Sequence, residues 1–227
     1  MKELRVEARA GHVDIDLLED LRDAWGSERH SADVRFLSAI AGRMLASRGP
    51  FLECGSGLTT LLAGGIAKER GTRIWVLEQD AHWYRFVRGM LDAFDIGSVV
   101  LCHAPLRLYG EFAWFNIDDR MLPPRVRHVF CDGPDVAEGE WIEPVYSNWV
   151  AGLVPVLRDR GVQFDEILLR DAADSRAVRT CRLWNDLDVE TQVVSTPTRP
   201  FIRARPAVRH AEPNGSQPLR IRSTASA

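Results

Sequence analysis

The chain has 227 residues, 45% of them hydrophobic, and a formal net charge of −3. That is enough apolar material for one domain with a substantial core, and the charge balance excludes a global nucleic-acid-binding surface. No apolar run approaches the length of a membrane span. Residues 1–13 carry charge every few positions, where a signal peptide would have an apolar core. Cys54, Cys102, Cys131 and Cys181 form no C-x-x-C pair, so a reduced, cytoplasmic protein is expected.

In chain order, helices are expected over residues 17–25 and 32–46, the second from the spacing of Phe36, Leu37, Ile40, Met44 and Leu45. Residues 50–53 read as a first strand, followed by a helix through Leu61, Leu62 and Ile66 that stops at Gly71. Residues 73–78 form a second strand. Asp80 then caps a helix whose apolar face is Trp83, Phe86, Val87, Met90, Leu91 and Phe94. Residues 98–102 form a third strand, and residues 103–124 read as an irregular, aromatic-rich stretch. A fourth strand covers 126–131. It precedes a long helix through Trp141, Val145, Trp149, Leu153 and Leu157, with bends at Pro144 and Pro155. A fifth strand over 164–169, a helix from 174 or 175 to 187, and strands over 189–195 and 201–205 complete the pattern.

Strands alternating with helices imply a mostly parallel sheet covered on both faces. Only residues 196–200 separate the last two strands, too few for a parallel crossover, so these two should pair antiparallel. The expected fold is α/β and Rossmann-like, with a seven-stranded sheet. N-terminal helices (1–46) should pack on a core domain (47–205), and residues 206–227, rich in Pro, Ser and Arg, should form a disordered tail.

The most informative segment is Phe-Leu-Glu-Cys-Gly-Ser-Gly-Leu-Thr-Thr, residues 51–60. An apolar run ends in a carboxylate, turns through two glycines and opens a helix. Gly55 and Gly57 allow unusual backbone angles and close approach of a ligand, and the helix start offers unpaired N–H groups. An ordinary strand-to-helix connection would need none of these features in this order. A dinucleotide fingerprint requires a third glycine, where this chain has Thr60, and its diphosphate would be repelled by Glu53.

Acidic-x-Gly-x-Gly resembles the first motif of class I S-adenosylmethionine-dependent methyltransferases. Three further segments follow the order of a small-molecule subset of that family. They are Glu78-Gln79-Asp80-Ala81-His82-Trp83-Tyr84 after the second strand, Tyr109-Gly110 with Trp114-Phe115, and Asp132-Gly133-Pro134 after the fourth strand. The resemblance spans about residues 40–196. It implies a cofactor, S-adenosyl-L-methionine, over Glu53, Gly55, Ser56, Gly57 and Thr59. The ribose would lie on Glu78 with Gln79 beside it, the adenine near Ala104 and Leu106, and the reacting end near Asp132.

The same resemblance implies methyl transfer to a small-molecule acceptor, preferably at a hydroxyl oxygen, with Asp132 as the first candidate for a base. No nucleic-acid or membrane partner is expected. Tyr109, Phe112, Trp114 and Phe115, with Trp141 and Tyr146, are candidates for an acceptor wall or for core packing. His103 is placed either against the adenine or in solvent. Asp132 and Asp171 end neighbouring strands and are the candidate pair for a divalent ion. In metal-dependent relatives an Asn follows the second acid; here Ala172 stands in its place, so a metal is not favoured. Two other readings are a NAD-dependent oxidoreductase and a non-catalytic S-adenosylmethionine-binding or scaffold domain.

Overall fold

The computed structural model describes residues 1–26, 31–110, 112–118, 120–134, 149–170, 172 and 175–207. Three helices open the chain: α1 (Lys2–Ala10), α2 (Ile15–Trp25) and α3 (Val34–Ala46). They are followed by β1 (Phe51–Cys54), α4 (Leu58–Arg70), β2 (Ile74–Glu78), α5 (Ala81–Ala93) and β3 (Val99–His103). Then come β4 (Leu106–Tyr109), β5 (Phe112–Phe115), β6 (Arg125–Cys131), a 3-10 turn at Trp149–Gly152 and α6 (Leu153–Asp159). The remaining elements are β7 (Gln163–Leu169), α7 (Ser175–Asp186), β8 (Val189–Val194) and β9 (Phe201–Pro206).

Seven strands form one sheet in the order β3-β2-β1-β6-β7-β9-β8. β3, β2, β1, β6 and β7 are mutually parallel, and β9 runs antiparallel to both β7 and β8. This is the expected mostly parallel, Rossmann-like sheet with a late antiparallel strand. The strand order reverses between β1 and β6, which is where an open α/β sheet leaves a crevice beyond its carboxyl ends. Cys54 and Cys131 are register partners across that junction.

One core fills each face of the sheet. On the first, α4 is buried along ten consecutive residues, Leu58 to Ala67, between the sheet, α1 and α3. Its two interior glycines make this possible. A Cβ on Gly64 would come within 2.6 Å of Val99, and one on Gly65 within 3.0 Å of Leu4. Helix α1 was not expected from the sequence. Its buried side chains are Leu4 and Ala8, one turn apart, too short a stripe to read as amphipathic. Arg5 and Arg9 tie it to Glu69 of α4 at 2.8 and 2.7 Å.

The stretch 103–124, expected to be irregular, contains an antiparallel hairpin. Leu106 of β4 pairs with Phe115 of β5, and Tyr109 pairs with Phe112. Gly110 (φ 61°) supplies the turn. The Tyr109 hydroxyl donates to the Phe115 carbonyl at 3.2 Å and accepts from the Ile117 amide at 3.3 Å. Four-residue strands are too short to show alternation, which is why this hairpin was hidden. Most of the long helix expected through Trp141 and Val145 lies outside the described residues. Of the expected tail, Pro206 completes β9, the Ala207 amide donates to Asp188, and the rest also lies outside.

Gly55 is where the fold and the crevice meet. It has φ 86°, and a Cβ there would lie 2.9 Å from the amide nitrogen of Gly133 and 3.0 Å from its Cα. Gly55→Ala therefore combines a left-handed backbone with a backbone clash. It should destabilise the protein by about 2–4 kcal/mol in urea unfolding. A change below about 0.5 kcal/mol would show that the β6 turn can retreat freely.

Candidate functional site

Three backbone bonds hold the strand ends at the junction. The Gly55 amide donates to Leu77 at 2.9 Å, and the amides of Asp132 and Gly133 both donate to the Cys54 carbonyl, at 3.0 and 2.9 Å. Past Gly55 the chain turns through Ser56 and Gly57 into α4. Thr60 takes part in the helix start: its hydroxyl accepts from the Gly57 amide at 3.0 Å. The position that would be a packing glycine in a dinucleotide loop is thus a buried capping residue.

Glu53 ends β1 beneath this loop and is 1% exposed. The Thr59 hydroxyl donates to its Oε1. Its Oε2 is buried with no hydrogen-bond partner, Thr60 lying near but outside bonding geometry. Burial pushes the carboxyl from its ordinary 4.5 up to about 8. The Thr59 and Thr60 hydroxyls pull the other way, while the charges of Asp132 and Glu78 add to the rise. Burial likewise pushes the Cys54 thiol upward, reinforced by Cys131, and both cysteines are fully buried packing groups.

Glu78 ends β2 and is 2% exposed. Its Oε2 accepts from the Ser56 amide at 3.0 Å and the Ser56 hydroxyl at 2.5 Å, and its Oε1 accepts from the Asp80 amide at 2.8 Å. Asp80 caps α5 through the Trp83 amide at 2.5 Å, as the sequence implied. Gln79 is half-buried between these two acids. At the next strand, the Ala104 amide donates to the Glu78 carbonyl at 2.8 Å; Ala104 is buried and Leu106 half-buried. His103 is exposed, with Tyr84 5.6 Å away ring to ring.

Asp132 ends β6. Its carboxylate is gripped by Arg170, from the end of β7, with Nε 2.6 Å from Oδ1 and Nη1 3.0 Å from Oδ2. Asp171 and Asp174 lie outside the described residues. Since a guanidinium already spans both oxygens of Asp132, a divalent cation on that carboxylate would face a fixed positive charge. Glu53, Gly55, Ser56, Gly57, Thr59, Glu78, Gln79, Ala104 and Asp132 therefore form one continuous rim over the ends of β3, β2, β1 and β6.

The candidate acceptor wall fares differently. Trp114 and Phe115 are fully buried and Tyr109 nearly so, packed in the second core. Phe112 is half-buried with its Cβ close to Gly152, while Trp141 and Tyr146 lie outside the described residues.

Two residues acquire roles that the sequence did not suggest. One is Arg170. The other is Trp83, whose indole N–H donates to the Ser56 carbonyl at 2.8 Å while its ring packs with Trp25 and Phe86. Read as a member of an apolar helix face, Trp83 hid its polar N–H, which needs a partner when buried.

Comparison with solved structures finds the same fold in methyltransferases. The precorrin-6y C5,15-methyltransferase of Geobacter metallireducens is 15% identical with a TM-score of 0.56, covering 82% of this chain and 95% of its own. The S-adenosylhomocysteine-bound methyltransferase PaMTH1 of Podospora anserina is 13% identical with a TM-score of 0.57, covering 84% and 86%. A proposed O-methyltransferase of Klebsiella pneumoniae is 15% identical with a TM-score of 0.56, covering 86% and 90%. No family model and no curated protein matches the chain by sequence. The fold is that of the class I methyltransferases.

The buried acid has a measurable signature. With its folded value raised to about 8 from 4.5, Glu53 is protonated in the folded protein at neutral pH and ionised in the unfolded chain. Its contribution to stability is full below pH 4.5 and is lost as the pH rises through about 8. Unfolding free energy should decline over that window by a few kcal/mol, and Glu53→Gln should flatten the decline. Parallel profiles for the two proteins would show that the carboxyl is ordinary.

Proposed function

We propose that the chain is an S-adenosylmethionine-dependent methyltransferase acting on a small-molecule acceptor, with a hydroxyl oxygen as the atom methylated. The observation that carries this reading is Glu53. A buried carboxyl with an unbonded oxygen sits beneath a two-glycine loop, with Glu78 and Asp132 close enough to disfavour its ionisation. Three acids converging on one loop suit a ligand that brings positive charge, and they oppose a diphosphate. Thr60, buried and capping α4 where a dinucleotide loop needs glycine, weighs against a nicotinamide cofactor. The fold and the family resemblance of the motifs agree with this choice.

The residues present fit the cofactor. Gly55 and Gly57 keep the space over the loop free of side chains, Glu53 offers a desolvated acceptor, and Glu78 has one lone pair open to a ribose hydroxyl and a second if the Ser56 hydroxyl gives way. Ala104 and Leu106 supply an apolar border for the adenine. Bound there, S-adenosylmethionine supplies a methyl group already activated by its positive sulfur. The chain itself orients the acceptor, excludes water and removes a proton. In this reading Asp132 takes the acceptor's hydroxyl proton. Arg170 fixes its carboxylate at the strand end. No metal enters the scheme.

Calorimetric titration tests the binding half. S-adenosylhomocysteine should bind and NADH should not. Glu78→Ala should weaken the binding by about 1–3 kcal/mol, because it removes the ribose contact and also frees the Ser56 amide and hydroxyl that hold the loop in shape. Tight binding of NADH alone would sink the assignment. Turnover is read as S-adenosylhomocysteine release with a panel of hydroxyl acceptors, with and without chelator. Asp132→Asn should lower kcat by about 10²–10⁴-fold while S-adenosylhomocysteine affinity is kept. Cofactor binding without release of product on any acceptor would leave a binding domain, not an enzyme.

A further inference from the structure

Every polar group of Ser56 is taken by one short segment, from Glu78 to Trp83. The Ser56 amide and hydroxyl both donate to Glu78 Oε2, at 3.0 and 2.5 Å, and its carbonyl accepts from the Trp83 indole N–H at 2.8 Å. No other donor among the described residues reaches that carbonyl. The segment is internally bonded. The Asp80 amide donates to Glu78 Oε1 at 2.8 Å, the Asp80 carboxylate accepts from the Trp83 amide at 2.5 Å, and the Tyr84 amide donates to the Asp80 carbonyl at 2.8 Å. Glu78 and Trp83 are therefore two fixed points of one unit, and Ser56 is tied to both.

The two ties respond differently to a ligand. A ribose at Glu78 competes with the Ser56 hydroxyl for Oε2. The Trp83 bond uses no atom of Glu78 and persists when that hydroxyl is displaced. The loop needs such a holder. The peptide between Ser56 and Gly57 can rotate at low cost because a glycine follows it. In the structure side chains fix both of its ends, the carbonyl through Trp83 and the N–H through the Thr60 hydroxyl at 3.0 Å.

Packing alone would not demand a tryptophan here. Trp83 is half-buried, with Trp25 edge-on at 6.1 Å and Phe86, itself 45% exposed, at 5.0 Å ring to ring. A phenylalanine would serve those contacts. Tryptophan adds one N–H donor, and its two ring neighbours set the direction in which that donor points. Trp25 is the last residue of α2, so the same contacts join the N-terminal helices to the glycine loop.

We propose that Trp83 is a positioning residue of the cofactor loop, whose indole N–H holds the Ser56–Gly57 peptide in place while a ribose displaces the Ser56 hydroxyl from Glu78. The loop then exchanges one contact and keeps its shape. The ribose step rests on the methyl-transfer reading; the tether does not.

Trp83→Phe keeps a ring against Trp25 and Phe86 and removes the N–H. In the unliganded variant the Gly57 amide should exchange with solvent at least about tenfold faster than in wild type, relative to the Ala63 amide in the middle of α4. S-adenosylhomocysteine should bind about tenfold more weakly, and KM for S-adenosylmethionine should rise by a similar factor with kcat little changed. A merely structural tryptophan would lower stability and leave relative Gly57 exchange, affinity and KM as they are. Unchanged relative exchange, or unchanged affinity, would overturn the proposal. In wild type, the assigned Trp83 indole N–H should exchange slowly both free and with S-adenosylhomocysteine bound. Exchange at the rate of an exposed tryptophan in either state would overturn the proposal even if Trp83→Phe failed to fold. If wild type bound no S-adenosylhomocysteine while Gly57 exchange still rose in Trp83→Phe, the tether would stand and the methyl-transfer reading would fall.

Discussion

The tight backbone approach of Gly55 to Gly133 at the crevice is the constraint on which the rest of the site depends. Gly55 has no room for a side chain, since a Cβ there would already meet the Gly133 backbone. Because the two turns touch, the Cys54 carbonyl can accept from two successive amides of the β6 turn. That double bond fixes where Asp132 leaves its strand relative to where Glu53 leaves its own. The buried helix α4 then anchors the loop from the other side. A helix surrounded on every side cannot shift without opening the first core, so the loop it begins is held as firmly as the sheet.

The two ends of the sheet use carboxylates in opposite ways. At the amino end, Glu166 of β7 is buried among Arg43, Arg203 and Arg205, with Nε to carboxylate distances of 2.5, 2.6 and 2.9 Å, and His128 beside it. Burial alone would raise its pKa, but the histidine and the guanidiniums outweigh that and hold the group well below the ordinary carboxylate range. This is a stabilising cluster that joins α3 to three strands. At the carboxyl end, Glu53 is equally buried but meets hydroxyls and other acids, and its pKa moves upward. The same residue type is a satisfied structural anion in one place and an unsatisfied acceptor in the other.

Most of the framework was legible because its signals are local and repeated. Helical periodicity in α3 and α5, the Asp80 cap, and the short gap before β9 each depend on contiguous residues, and each reappears in the structure. What stayed hidden depends on contacts distant in sequence. Helix α1 shows only Leu4 and Ala8 to the core, and its reason for packing is Gly65, more than fifty residues away. The β4–β5 hairpin is made of strands too short to alternate. The placement of Glu53, Gly55 and Glu78 at the strand ends was legible, because a motif fixes backbone shape there. It was not where a partner arrives from elsewhere. Nothing near Asp132 in sequence announces that Arg170 will hold it, and nothing near Ser56 announces Trp83.

Ser56 ties these observations together. Its carbonyl is held by Trp83, and its amide and hydroxyl are both given to Glu78. The loop as it stands therefore satisfies the very carboxylate that a ribose would need. A ribose reaching Glu78 has to replace the Ser56 hydroxyl or share the oxygen with it, and exchanging one hydrogen bond for another yields little net free energy. Tight binding at this loop must then come from contributions that the unliganded site does not already satisfy. Chief among these is the unbonded oxygen of Glu53, whose ionisation a nearby cation would favour. In the proposed complex a ribose contact would fix register, and charge at the far side of the loop would supply affinity. On this argument the acid two residues before the first glycine matters more to binding than the glycines themselves, which only keep the space clear.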